Sequence, residues 1–177
     1  PIDFILGCKK ILTKNGILVI EVPDLDKLFK NISFDTIYHE HRNYYSKKSL
    51  IKIFKKTNLK IIKFENLEYM SGSLRIYLKN SKFQNFRILN NSSIQSYNSF
   101  IKFKKKISLI KKFLIKYINN EIKREKIIAG FGAATKGNTL INFCKFNSKH
   151  IQFIMENSKH KIGKFTPGSA IPIVDEN

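Results

Sequence analysis

The sequence lacks tryptophan and has few cysteines, arginines and acidic residues. Its two cysteines, Cys8 and Cys144, lie far apart in apolar helical contexts. This argues against a disulfide framework or a cysteine metal cluster and is typical of reduced thiols in a cytoplasmic protein. No apolar run approaches the roughly 18 to 20 residues that span a bilayer, so we expect no membrane partner. The chain has 177 residues and is 42% hydrophobic, enough for one sizeable core or two small ones.

Positive charge dominates, with 33 basic against 13 acidic residues and a net charge of +20. Nearly all of it is lysine spread over every segment, whereas arginine, whose planar fork suits direct base readout, is scarce. No nucleic-acid-binding motif accompanies the charge. We therefore interpret the lysines as solvated surface and expect no nucleic-acid partner, with a non-catalytic basic nucleic-acid module as an alternative.

The two ends of the sequence have the pattern of domain interiors. Residues 1–12 begin without a methionine, and residues 171–177 stop just after a strand-like run. We therefore expect the sequence to be a portion of a longer protein, truncated at both ends.

The first 79 residues alternate between helical and strand patterns. Residues 3–12 have helical spacing, and residues 17–22 form an apolar run that fits a strand buried on both faces of a parallel sheet. After a long loop, Ser46 is the predicted N-cap of a helix over residues 47–56.

Two strands follow that helix, over residues 59–64 and 73–78. Their short connection cannot hold a crossover helix, so we expect the last strand to pair antiparallel. A mostly parallel sheet closed by an antiparallel hairpin forms the back half of the usual methyltransferase fold, although other α/β sheets also have antiparallel edges.

The middle section has no such alternation. Residues 83–96 are rich in asparagine and serine and are interpreted as a connector. Residues 97–124 have apolar side chains at helical spacing, which predicts one long amphipathic helix or two joined ones that bridge domains. Contact of its lysine-rich face with acidic lipid is the alternative.

The last section predicts a new α/β unit, with a strand over residues 126–130, a glycine-rich turn over 130–137 and a helix over 138–146. A second strand, residues 151–155, ends on Glu156. Glycines let a backbone approach phosphate, a helix N-terminus presents N–H groups, and an acidic residue at this place accepts a ribose hydrogen bond. Alternatively, the glycines serve only close helix–strand packing, or the turn binds a nicotinamide cofactor in a sugar-nucleotide oxidoreductase.

The loop over residues 34–46 contains the most informative cluster, Tyr38-His39-Glu40-His41. It follows the carboxyl end of a strand, where open α/β sheets bind ligands. A general base beside a carboxylate and a phenol suits proton abstraction next to a carbonyl. Metal-ligand spacing is not evident. A polar surface loop is the alternative.

This cluster and several later segments resemble the sugar C-methyltransferases, which add a methyl branch to dTDP-linked 4-keto-6-deoxyhexoses. The matching segments are Tyr38-His39-Glu40-His41 with its flanks, residues 71–75 (SGSLR), 130–139 (GFGAATKGNT), 161–168 (KIGKFTPG) and 171–173 (IPI). Two positions depart from the family pattern. Met70 and Ser71 replace a histidine and a glycine, and Glu156 replaces the usual aspartate.

The resemblance implies a three-part enzyme with a cysteine-ligated zinc domain, a methyltransferase domain and a Rossmann-like C-terminal domain. Residues 1–79 then correspond to the C-terminal half of a class I S-adenosylmethionine methyltransferase sheet. Residues 80–125 are a helical connector, and residues 126–177 begin the second Rossmann-like domain. The zinc site and most of the S-adenosylmethionine site are expected before Pro1. We expect a cytoplasmic monomer.

By resemblance, His41 is the general base that generates an enolate from a nucleotide-linked keto-sugar. Tyr38 hydrogen-bonds the developing oxyanion, and Glu40 holds a substrate hydroxyl or orients the histidine. Chemistry rather than family detail assigns the glycine-rich turn, with Lys136 and Asn138, to the diphosphate of the sugar nucleotide. The other predicted substrate contacts are Gly132, Gly137, Glu156 and His39, and the alternative for His39 is that it only orients the loop.

Overall fold

The computed structural model describes residues 1–68, 72–81 and 97–177, and their architecture is mixed α/β, as predicted. The chain divides into two compact units. Unit 1 comprises Pro1–Ser33 and Asn43–Phe100, and unit 2 comprises Phe34–Arg42 and Ile101–Asn177. The predicted connector over residues 83–96 and the motif positions Met70 and Ser71 lie outside the described residues. The three predicted domain ranges stay a prediction.

Unit 1 contains a three-stranded sheet formed by β1 (Ile17–Pro23), β2 (Leu59–Leu67) and β3 (Ser73–Asn80). The strand order is β1-β3-β2, and β3 pairs antiparallel with both neighbours. The predicted antiparallel hairpin of β2 and β3 is confirmed. β3 lies between the other two strands, so the described strands of this sheet form no parallel pair. The mostly parallel sheet that this hairpin is expected to close stays a prediction.

Side chains of β1 alternate between the core and solvent. Leu18, Ile20 and Val22 pack against the core, whereas Ile17 and Val19 are 57% and 48% exposed. This is the two-residue period of a strand with one covered face. The prediction of a strand buried on both faces is therefore wrong for the described chain.

Two helices of unit 1 were predicted from their patterns. Helix α1 (Ile2–Ile11) contributes Ile5 to the core. Helix α3 (Lys47–Lys55) begins at Ser46, whose hydroxyl accepts the Ser49 N–H while the Ser49 hydroxyl accepts the Ser46 N–H. This reciprocal capping satisfies two N–H groups that a helix start leaves without partners. The buried core consists of Ile5, Leu50, Phe54, Leu59, Leu74, Ile76 and Leu78.

The predicted long loop contains a helix that the pattern did not reveal, α2 (Leu25–Asn31). Asp24 caps it by accepting the Asp26 N–H at 2.9 Å. Asp24 is 3% exposed, and this burial raises the pKa of its carboxyl group above the ordinary range. A seven-residue helix depends on its cap and on packing more than on sequence periodicity.

Unit 2 contains a parallel sheet of β4 (Ala129–Phe131), β5 (Phe153–Glu156) and β6 (Ile173–Asp175), in that order. Helix α5 (Thr135–Cys144) connects β4 to β5, which confirms the predicted strand–turn–helix–strand unit. The helix begins three residues earlier than predicted. Its N-cap residue, Ala134, makes no side-chain capping hydrogen bond, so the sequence has no marker at this position.

A single continuous helix, α4 (Tyr97–Lys123), occupies the predicted amphipathic segment, so one helix rather than two is confirmed. Leu109, Phe113 and Tyr117 are spaced four residues apart and are exposed. Cys144 is buried and Cys8 half-buried, and both are free thiols. Within the described ranges, no helix combines the length and apolarity needed to cross a membrane.

Candidate active site

The histidine-containing loop forms a tight turn in unit 2. A 3₁₀ turn, Phe34–Thr36, leads into it. The His41 N–H then donates to the Tyr38 carbonyl oxygen at 3.0 Å. This turn brings the rings of Tyr38 and His41 together, with centroids 4.6 Å apart and planes inclined by 29°. The predicted base and the predicted oxyanion donor are therefore direct neighbours.

An aromatic contact holds this loop against helix α5. The rings of Phe34 and Phe143 lie 5.0 Å apart, and the Lys111 ammonium lies 4.7 Å from the centre of the Phe143 ring. Such aromatic pairs contribute about 0.5–1.5 kcal/mol beyond the area they bury. The loop is thereby anchored to the helix that follows the glycine-rich turn.

A backbone contact assigns the tautomer of His41. Its Nδ1 lies 3.1 Å from the carbonyl oxygen of Thr36, a buried residue. A carbonyl oxygen only accepts hydrogen bonds, so Nδ1 is the nitrogen that donates. In the neutral ring, Nε2 then holds the lone pair. Nε2 is therefore the ring nitrogen that can accept a proton.

The glycines of the turn differ in what surrounds them. A Cβ at Gly130 would lie 3.0 Å from Ile154 Cγ1, so this glycine serves close strand packing. Gly132 has a φ of +79°, which favours glycine, and a Cβ there would meet no atom of the described chain within 4 Å. A Cβ at Gly137 would likewise meet none of the described atoms within that distance. Packing therefore explains Gly130 but not Gly137.

Glu156 organises this turn. Its Oε2 accepts hydrogen bonds from the Ala133 N–H at 2.9 Å and from Lys161 Nζ at 3.0 Å. Its Oε1 accepts the N–H groups of Asn157 and Ser158 at 3.1 and 3.2 Å. The hydrogen bond from Lys161, followed by that from Ser158, lowers the pKa of the Glu156 carboxyl group below its ordinary value.

The loop over residues 161–168 is fastened at both ends. The Gly163 N–H donates to Ile173 O, and the Ile173 N–H donates to Lys164 O. Asn142 of α5 donates from Nδ2 to the Pro167 carbonyl oxygen at 3.0 Å. These contacts hold the loop beside β6 and helix α5.

A cavity of about 440 Å³ lies where these three segments meet within unit 2. Tyr38 and His39 line it from the histidine loop. The glycine-rich turn and the start of α5 line it with residues 132–135 and 137–139, and the third segment lines it with residues 161 and 164–167. Ile141, Ile154 and Ile173 supply apolar surface. Apolar walls with a few polar groups are typical of small-molecule sites.

The cavity brings together five of the nine predicted site residues. They are Tyr38, His39, Gly132, Gly137 and Asn138. The other four are not among its described lining residues. His41 stacks beside Tyr38, Glu40 is exposed in the turn, Lys136 lies in the first turn of α5, and Glu156 bonds the backbone of the glycine-rich turn.

Sequence reasoning gave no role to Lys161, Lys164 or Thr166, although the segment that contains them belongs to the resemblance. All three line the cavity. Two lysines around a glycine, followed by Thr166-Pro167-Gly168, were the available signal. Their placement beside the glycine-rich turn depends on contacts distant in sequence.

A comparison with known proteins connects this arrangement to one family. Residues 71–177 match the family model described as the C-methyltransferase C-terminal domain. The chain belongs to the C-methyltransferase family. Residues 1–63 of the chain match a second model, the methyltransferase domain. The predicted resemblance is thereby confirmed at the level of the family.

The C-methyltransferase NovU of Streptomyces niveus is a curated relative. It is 27% identical over 176 residues, which cover 94% of this chain and 42% of the relative. The chain therefore spans less than half the length of this relative.

The cavity suits an anion better than a sulfonium cation. Its described lining contains two lysines and the start of α5, whose N–H groups carry partial positive charge, and no carboxylate. In the described part of the chain, no three His, Cys, Asp or Glu side chains are grouped so as to hold a metal ion. We therefore assign neither an S-adenosylmethionine contact nor a metal ligand to these residues.

Proposed function

We propose that this chain is the substrate-binding and proton-abstracting portion of an S-adenosylmethionine-dependent C-methyltransferase. Its substrate is a nucleotide-linked keto-sugar, methylated on a carbon beside the ketone. One observation supports this most: Tyr38 and His39 line the same cavity as the glycine-rich turn, within one compact unit. The turn that contains the proposed base, His41, therefore adjoins the groups suited to a diphosphate, and Tyr38, which stacks on His41, lines the same cavity as those groups.

The cavity offers separate places for the two ends of such a substrate. Gly132, Gly137 and Asn138, with the N–H groups at the start of α5, suit the diphosphate. The open space above Gly137 lets a phosphate oxygen approach the helix backbone. Tyr38 and His39 then lie beside the sugar.

Proton abstraction follows from the tautomer of His41. Nε2 accepts the proton from the carbon beside the ketone, while Nδ1 keeps its hydrogen bond to Thr36 and stabilises the imidazolium ring that forms. The Tyr38 hydroxyl donates a hydrogen bond to the enolate oxygen, which carries the developing negative charge. Bound S-adenosylmethionine supplies an electrophilic methyl group. Glu40 is the residue proposed to hold a substrate hydroxyl or to orient the histidine.

Substitution of His41 tests this assignment. The His41→Asn side chain retains an N–H donor for the Thr36 carbonyl but has no basic nitrogen. We expect methyl transfer to fall by about 10²- to 10⁴-fold, with the substrate dissociation constant unchanged. The assay measures methylated sugar nucleotide with the full-length protein.

Tyr38→Phe is the matched variant, since it keeps the ring that stacks on His41 and removes only the hydroxyl. It should slow methyl transfer with little change in stability. Wild-type turnover by His41→Asn would contradict the base assignment. The alternatives of a nicotinamide oxidoreductase and a nucleic-acid module are not proposed, because family membership favours C-methylation.

A further inference from the structure

We propose that Lys161, and not the glycine-rich motif's Lys136, is the side chain that binds the diphosphate of the nucleotide-linked substrate. Glu156 positions it. This inference rests on the proposed function, because it concerns the anionic part of the same substrate. It replaces Lys136 as the diphosphate ligand and gives Glu156 a role other than ribose binding.

The positions of Lys161 and Lys136 relative to the cavity indicate which of the two binds the diphosphate. Lys161 and Lys164 line the cavity, whereas Lys136 is not among the described lining residues. Gly137 and Asn138, the next two residues of α5, do line it. Residues adjacent on a helix project about 100° apart, so a lining that includes residues 137 and 138 need not include residue 136.

Two hydrogen bonds within the chain hold the Lys161 side chain in place. Its Nζ donates to Glu156 Oε2 and to the Ala133 carbonyl oxygen, both at 3.0 Å. An ammonium group has three N–H donors, so these two bonds leave one for a ligand. Ala133 itself lines the cavity, which places Nζ at the glycine-rich turn. Binding then costs little further side-chain entropy, which a mobile lysine would lose.

The bonds to Glu156 indicate that it is a positioning residue. A carboxylate has about four lone-pair sites, and Glu156 accepts hydrogen bonds from Ala133, Asn157, Ser158 and Lys161. It is 8% exposed. Its acceptor sites are thus occupied by the backbone of the turn and by Lys161. The ammonium, in contrast, keeps a donor for phosphate, and Lys164 and the N-terminus of α5 add positive potential.

The test compares Lys161→Met with Lys136→Met in the full-length protein. Isothermal titration calorimetry measures the dissociation constants of thymidine diphosphate and thymidine monophosphate. Loss of one charge-assisted hydrogen bond should weaken diphosphate binding by about 10- to 100-fold in Lys161→Met. Lys136→Met should stay within about twofold of the wild type, since Lys136 makes no ligand contact in this proposal.

Two further variants separate the loss of the positive charge at residue 161 from a loss of folded structure. Lys161→Arg keeps the positive charge and should restore most of the affinity. Glu156→Gln should weaken diphosphate binding more than monophosphate binding, because it misplaces Lys161. A general loss of structure in the glycine-rich turn would instead weaken the binding of both nucleotides equally.

The outcomes distinguish the inference from the proposed function. Equal affinity of Lys161→Met and the wild type for thymidine diphosphate overturns the inference, as does a loss confined to Lys136→Met. A wild-type protein that binds no nucleoside diphosphate contradicts the proposed substrate class itself.

Discussion

Substitution of Gly137 by alanine should stabilise the protein and weaken substrate binding at the same time. Gly137 is the third residue of helix α5 and lines the cavity. An added Cβ would meet no atom of the described residues within 4 Å, so the folded chain accommodates it. Alanine exceeds glycine in helix propensity by about 0.8–1.0 kcal/mol in a helix interior. We therefore expect the free energy of unfolding to rise by up to about 1 kcal/mol.

For a chain of this size, that gain corresponds to an increase in Tm of about 2–4 °C. The new methyl group occupies the space through which a phosphate oxygen reaches the backbone. We expect the dissociation constant for thymidine diphosphate to rise about tenfold, equivalent to about 1.4 kcal/mol of lost binding free energy. Thermal denaturation and calorimetric titration of one protein preparation measure both effects.

Gly7→Ala is the matched control. Gly7 lies inside helix α1, and a Cβ there also meets none of the described atoms within 4 Å. It should stabilise the protein to a similar extent and leave nucleotide affinity unchanged. If Gly137→Ala raises the Tm without weakening binding, no ligand approaches the backbone at this position, and the interpretation of the turn as a phosphate site is wrong.

Two further predictions concern the framework around the cavity. Gly168→Ala should lower the free energy of unfolding by about 1–3 kcal/mol, because Gly168 has a φ of +79° and a Cβ there would displace the side-chain oxygen of Asn142. Urea denaturation measures this, and a neutral result would contradict the observed packing. Because folding lowers the Glu156 pKa, its stabilising contribution is complete above the ordinary glutamate pKa of about 4.3 and is lost as the pH falls. Glu156→Gln should therefore lose less stability than the wild type between about pH 5 and pH 3; parallel profiles would refute this.

The sequence predicted those helices and strands that have a local signal, such as a capping residue or a short connection. Ser46 marks the start of α3 because serine is a favourable N-cap, and the short connection between β2 and β3 requires antiparallel pairing. The start of α5 was missed because Ala134 provides no capping side chain. Helix α2 was missed because its seven residues contain only one repeat of the helical apolar spacing, formed by Leu25, Leu28 and Phe29.

The candidate site could be predicted in its residue types but not in its arrangement. The cluster of Tyr38 and His41 is visible in the sequence, whereas the tautomer of His41 depends on a contact with the Thr36 carbonyl. Lys161 lies 28 residues from Ala133 along the chain, and only the folded structure brings its ammonium to that carbonyl oxygen. Periodicity and motif spacing do not encode contacts of this kind.

The central claim is that His41 removes a proton from the carbon beside the substrate ketone. Exchange of that proton for deuterium measures the step directly, by NMR of the keto-sugar nucleotide incubated with the full-length protein in D₂O without methyl donor. The account predicts enzyme-dependent exchange with the wild type and a rate at least about 10²-fold lower with His41→Asn. Equal exchange rates in the two proteins would contradict it.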